Sequence, residues 1–193
     1  MERLWTPWRL DYVSGEKRVE RKGVPEELSA WPTEQDKQCV FCNMTAAVRW
    51  AVDTGMAVEE AERAALIVEQ GAFCFVCLNR YPYATGHVMI VPYLHVASLA
   101  KLPDATVTEM AKLAQRIETV IREAYHPDGL NLGMNMGEAA GAGVAEHLHL
   151  HELPRWNGDT NFMTVTADTR ILPELLEVTW LKLRKEITAM QPK

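Results

Sequence analysis

The chain has 193 residues, 48% of them hydrophobic and 24% charged, a composition that supports one sizeable buried core and excludes an overall disordered chain. Its formal net charge of -6 excludes broad electrostatic binding along a nucleic-acid backbone, which needs many Lys and Arg on one face. Four cysteines in a chain of this length do not make a disulfide scaffold, so their spacing carries the information.

The first residues, "MERLWTPWRLDYVSG", hold no apolar run suited to a signal peptide, and no window approaches the roughly 20 apolar residues of a membrane span. A soluble, cytoplasmic protein is expected. "LWTPWR" (Leu4–Arg9) concentrates two tryptophans and a proline, which suits docking on an apolar surface, either the chain's own core or a second subunit. Residues 14–38 are rich in charge, Pro and Gly and read as a surface arm or flexible loop.

"QCVFCN" sets Cys39 and Cys42 in a Cys-x2-Cys knuckle with polar flanks, a spacing common in structural zinc sites; it needs two further ligands, with a redox dithiol or plain buried thiols as the alternatives. From Met44 to Gln70 the pattern is mostly helical, "VEEAERAALIVEQ" being its best piece, and a strand "AFCFVCLN" follows Gly71. Cys74 and Cys77 repeat the knuckle spacing inside that strand, where residues three apart point to opposite faces, so they are expected as core thiols. "GHVMIVP" (Gly86–Pro92) is a second strand.

Between Leu102 and Tyr125, apolar residues at Val107, Met110, Ala111, Ala114, Ile117, Val120 and Ile121 recur at helical spacing. "HPDG" turns the chain into "LNLGMNM", read as a third core strand, "EAAGAG" leads to the strand "EHLHLHELPRW", and a helix over Pro173–Met190 closes the chain. Short turns between strands and one long helix predict an α+β fold with a mostly antiparallel sheet. One domain over residues 1–193 is expected, with an N-terminal arm (about 1–38) and a C-terminal extension (about 154–193).

In a strand, alternate side chains share a face, so His147, His149 and His151 line one side and Leu148, Leu150 and Glu152 the other. Stacked imidazoles resist simultaneous protonation and favour neutral rings, which are nucleophiles or metal ligands. Just upstream, Gly137, Gly141 and Gly143 in "NMGEAAGAG" let backbone N–H groups approach an anion, which proposes phosphorus as the electrophile.

"HLHLHEL" resembles the signature of the histidine-triad (HIT) superfamily of nucleotide hydrolases and transferases, three histidines separated by apolar residues. "NRYPYATGHVMIVPYLH" (Asn79–His95) is similar to that family's earlier strand pair, and "LWTPWR" and "PRWNGDTNF" are similar to its diadenosine tetraphosphate phosphorylase branch. The resemblance implies an enzyme in which His149 attacks the α-phosphorus of a dinucleoside polyphosphate and forms a covalent nucleotidyl-histidine. His151 then contacts the phosphate and assists the leaving group, Gly141, Ala142 and Gly143 offer backbone donors, Asn79 lies near the ribose and Asn135 near the phosphates. It further implies zinc held by Cys39, Cys42, His95 and His147, a homodimer, nucleotide partners (AMP, ADP, ATP) with inorganic phosphate as an acceptor, and no nucleic acid or membrane.

Two positions depart from the family pattern. Glu152 stands where the family has an apolar residue and would carry a carboxylate to the packing side. Gly143 stands where many relatives carry Ser or Gln, which leaves phosphorolysis and hydrolysis both open. A nucleoside phosphoramidase, a zinc-stabilised nucleotide-binding module without turnover, and a metal-storage strip are the competing readings. His87 and His126 receive no role, and the tryptophans are assigned to packing, with Trp156 able to reach a base.

Overall fold

A computed structural model describes residues 22–159 and 174–190. "LWTPWR" and Thr160–Phe162 of "PRWNGDTNF" lie outside the described residues. Five strands, β1 (Ile67–Gln70), β2 (Cys74–Leu78), β3 (Val88–Pro92), β4 (Gly129–Met134) and β5 (Leu150–Arg155), form one sheet in the order β1-β2-β3-β5-β4. Every pairing is antiparallel. With helices α1 (Val40–Asp53), α2 (Val58–Ala64), α3 (Asp104–Tyr125) and α4 (Leu176–Ala189), the fold is α+β, as the alternation of patterns predicts.

The two-residue period of the strands sorts the core into two halves. Cys74, Val76, Leu78, Val88 and Ile90 face α3 and α4, where they meet Met110, Ile117, Val120, Trp180 and Leu183. Phe75, Cys77, Met89 and Val91 face the other way, onto Leu28, Trp31, Phe41, Ala47 and Val48. Cys74 and Cys77 therefore lie on opposite faces as buried free thiols. The helix α3 buries Leu113 rather than Ala111, so its apolar stripe is turned slightly from the expected one.

Three expectations change. The helical reading of 44–70 fails at its end: Leu66 takes a left-handed backbone (φ 58), and Ile67 and Val68, β-branched and fully buried, pair against β2 as a strand. The arm is not loose from residue 22 onward, because Leu28 and Trp31 are buried beneath two short 3-10 turns. "LNLGMNM" is an edge rather than a core strand, since β4 pairs with β5 alone and leaves Leu132 58% exposed. His126, for its part, ends α3 in a left-handed conformation (φ 46).

Glu152 is buried at 2% exposure between Val88 of β3 and Leu132 of β4. Its Oε2 has no hydrogen-bond partner among the described residues, and it faces a groove walled by Met110, Ala114, Leu130 and Leu132 with Glu118 and Arg122 at hand. Burial, helped by the nearby Glu118 carboxylate, pushes its carboxyl up to about 8. The folded chain thus holds a proton that the unfolded chain releases near a pH of about 4.3. Glu152 should make stability decline as pH rises from there to about 8, at no more than about 1.4 kcal/mol per pH unit. Thermal denaturation across this window should show the decline in the wild type and a flatter curve in Glu152→Gln; equal slopes would refute it.

Candidate active site and metal centre

The sheet ladder of β5 begins at Leu150, but the alternation already operates upstream. Leu148 and Leu150 sit in the α3/α4 half of the core, and its backbone N–H ties Leu148 to the Val96 carbonyl at 2.7 Å. His147, His149 and His151 consequently turn to the opposite face, all three buried.

His147 belongs to a four-residue cluster. Its Nδ1 lies 3.1 Å from Cys39 Sγ and 3.7 Å from Cys42 Sγ, and Cys42 Sγ lies 3.4 Å from His95 Nδ1. One donor atom from each of Cys39, Cys42, His95 and His147 falls within 4.8 Å of the others, so the fold gathers from three separate segments the four residues that the resemblance paired. On the far side of the ring, His147 Nε2–H donates to the Pro92 carbonyl at 2.8 Å, which fixes the tautomer that leaves Nδ1 as a lone pair aimed at the thiols. Two soft thiols and two imidazoles fit a tetrahedral divalent metal of the zinc type. Burial and the neighbouring Cys39 push the Cys42 thiol up to about 11, and a cation bound there would draw it toward the thiolate.

His149 is set differently. Its Nδ1–H donates to the His147 carbonyl at 2.8 Å, so the proton of the neutral ring resides on Nδ1 and Nε2 keeps its lone pair. Burial lowers its pKa below the ordinary imidazole value, although the carbonyl pulls the other way. The neutral, nucleophilic form is therefore the resting form at neutral pH. Its ring lies 4.7 Å from that of His151 and 5.2 Å from that of Phe41, centroid to centroid.

His151 is oriented through His87, which the sequence reading left without a role. The Tyr83 N–H donates to His87 Nδ1 at 3.1 Å, so His87 carries its proton on Nε2 and gives it to His151 Nδ1 at 3.0 Å. His151 must then hold its own proton on Nε2, an atom that is buried and unpartnered among the described residues. Burial and the neighbouring histidines drive His87 down to about 3 and His151 to about 4, which keeps this relay uncharged. The result is a bare acceptor on His149 beside an N–H donor on His151, a pairing in which one nitrogen is free to attack and the other can hydrogen-bond to developing negative charge.

The remaining predicted residues are less committed. The Asn79 side chain accepts from the Tyr81 N–H at 2.9 Å and lies 3.4 Å from His87 Nδ1, so it shapes the loop that carries His87. Asn135 follows β4 and is half-buried. Gly141 adopts φ 81, a left-handed turn that suits glycine, and the N–H groups of Gly141 and Ala142 bond to the Glu138 and Gly137 carbonyls at 2.9 and 3.4 Å. Those two donors are occupied within their own turn. Gly143 is exposed beside them.

Comparison with known proteins places this geometry. Residues 60–158 match the family model of the HIT domain. An AP-4-A phosphorylase of Mycobacterium tuberculosis (strain ATCC 25618 / H37Rv) is 34% identical over 192 residues, spanning 100% of this chain and 87% of the relative. A bis(5'-adenosyl)-triphosphatase of Dictyostelium discoideum is 35% identical over 81 residues, 42% of this chain and 54% of that one. Among solved structures, a zinc-bound histidine triad family protein from Mycobacterium smegmatis superposes with a TM-score of 0.57 at 29% identity, covering 79% of this chain and 95% of its own.

If the four-residue cluster holds a metal, the purified chain should carry one equivalent, and Cys39→Ser or His95→Ala should lose it with a lowered melting temperature. Cys74→Ser, on the far face of the sheet, should keep it. Elemental analysis with thermal denaturation checks this, and full metal retention in Cys39→Ser would rule the cluster out.

Proposed function

The chain belongs to the HIT-domain family, and from that premise we propose that it is a nucleotidyl transferase acting on dinucleoside polyphosphates, with diadenosine tetraphosphate as substrate and inorganic phosphate as acceptor. The observation that carries this reading is the neighbouring pair of nitrogens: His149 Nε2 with a free lone pair, and His151 Nε2 with an N–H to offer as a hydrogen-bond donor. The likeness to the AP-4-A phosphorylase over the whole chain supports the choice of substrate.

In the first step His149 Nε2 attacks the α-phosphorus and forms a P–N bond as the bond from phosphorus to the bridging oxygen breaks. His151 Nε2–H donates a hydrogen bond to that oxygen as negative charge builds on it, and ATP leaves as its anion. The positive charge that develops on His149 is stabilised through Nδ1–H by the His147 carbonyl at 2.8 Å. In the second step hydrogen phosphate attacks the nucleotidyl-histidine, a P–O bond forms as the P–N bond breaks, His151 Nε2–H steadies the phosphoryl oxygens, and ADP departs with the neutral His149 restored. Water as acceptor gives AMP instead.

Asn79 serves the ribose end and Asn135 the phosphates, while Gly141, Ala142 and Gly143 supply N–H donors; for Gly141 and Ala142 this requires the turn to open on binding. Zinc is the metal of the Cys39, Cys42, His95 and His147 cluster, a reading supported by the donor set and by the zinc-bound relative. When bound, zinc supplies structural cross-linking rather than chemistry, because all four ligands are protein side chains. The chain acts as a cytoplasmic homodimer, supported by the exposed antiparallel edge of β4 with Leu132 and Met136; no helix among the described residues is long and apolar enough to cross a membrane. The domain runs through the whole chain, with the arm and the C-terminal extension as appendages.

Chromatographic product analysis with diadenosine tetraphosphate, with and without phosphate, tests the reading. ADP and ATP that depend on phosphate are expected, lost by roughly three orders of magnitude or more in His149→Ala. AMP and ATP without phosphate would make the chain a hydrolase, and no turnover would sink the proposal. Because His149 and His151 titrate below the ordinary imidazole range, kcat/KM should stay level through neutral pH and fall only on the acid side of about 6.5. An acid limb centred at or above that value would contradict the neutral resting state.

A further inference from the structure

Among the described residues a single polar contact holds the His149 ring, from Nδ1–H to the His147 carbonyl. That bond fixes one edge of the ring and leaves its tilt to packing. One flank is His151, in edge contact at an interplanar angle of 75°. The other is Phe41, tilted at 51° and 5.2 Å away. Phe41 comes from neither β5 nor any other strand, but from the first turn of α1.

Its place in the sequence is Cys39-Val40-Phe41-Cys42, between the two thiols of the knuckle. The same ring stands edge-on to His147 at 5.3 Å and is 3% exposed, packed among Leu28, Trp31, Met89 and Val91. The start of α1 is thus tied to the histidine segment by the contacts of Cys39 and Cys42 with His147, and Cys42 also reaches His95. Between those ties lies an aromatic face against the nucleophile.

We propose that Phe41 is a positioning residue that transmits the order of the metal-bound knuckle to the His149 ring, so that metal occupancy governs how well His149 is aimed. The physical ground is that a buried ring deprived of a close-packed neighbour gains rotational freedom, and small errors in attack geometry are costly in rate. The proposal rests on His149 being the nucleophile. It makes the metal a remote organiser of the reaction, acting through van der Waals contact and not through any ligand to the substrate.

The test combines ring resonances of histidine-labelled protein, assigned to His149 by its absence in His149→Ala, with kinetics on diadenosine tetraphosphate. Wild type, Phe41→Leu and Phe41→Met are each measured metal-loaded and metal-stripped. Loaded Phe41→Leu should keep its equivalent of metal and a KM within about twofold, lose kcat by about 10- to 100-fold, and shift or broaden the His149 resonances. Phe41→Met, closer to the native volume, should recover part of the loss. Stripping the wild type should reproduce the resonance change, and stripping Phe41→Leu should add little to it. A raised KM with kcat intact would make Phe41 a substrate contact, metal loss in the variant would make it part of the knuckle, and additive effects of stripping and substitution would make the two independent; each overturns the proposal. If the wild type does not turn over the substrate, the functional reading fails, while the resonances still decide the role of Phe41.

Discussion

The hydrogen bond from His149 Nδ1 to the carbonyl of His147 decides which nitrogen of the central imidazole faces the site, and the chemistry descends from it. A ring tied by Nδ1–H to its own backbone presents a lone pair on Nε2. The neighbours are arranged on the same principle. His147 donates a hydrogen bond from Nε2–H to the Pro92 carbonyl and offers Nδ1 to the thiols, whereas His151 accepts a hydrogen bond at Nδ1 from His87 and offers Nε2–H. Three chemically identical side chains, two residues apart, thereby take different hydrogen-bonding roles: a lone pair toward the thiols, a lone pair on Nε2, and an N–H on Nε2.

Those roles depend on keeping charge out of the row. Each imidazole is buried, each loses basicity through burial, and for His147 and His151 a neighbouring histidine adds to the effect. The sheet supplies this environment because its other face is closed by α3 and α4, while Phe41, Leu28 and Trp31 cover the histidine side.

The legible parts of the molecule were those whose cause is local. The alternation around His147–His151, the 3.6-residue stripe of α3 and the opposed faces of Cys74 and Cys77 follow from strand and helix geometry within one segment. β1 was lost because "ALIVEQ" continues an apolar spacing compatible with a helix, and only the left-handed Leu66 and the pairing with β2 break it. His87 was invisible as a functional residue because its meaning depends on a Tyr83 N–H and on the nearness of β3 to β5. His95 and His147 joined the Cys39–Cys42 pair only through family resemblance, since no spacing rule links ligands 53 and 108 residues from their thiol partners. Glu152 stood out as a departure, and the fold answers it with a protonated carboxyl in an apolar groove.

The proposed chemistry requires a covalent bond between His149 and phosphorus. Rapid quenching of the wild type with diadenosine tetraphosphate in the absence of phosphate, followed by intact-mass measurement and peptide mapping, looks for that bond directly. A nucleotidyl adduct on the peptide containing His149, acid-labile as a phosphoramidate and discharged when phosphate is added, is the predicted result. Turnover with no adduct at any quench time, or an adduct carried by another residue, would contradict it.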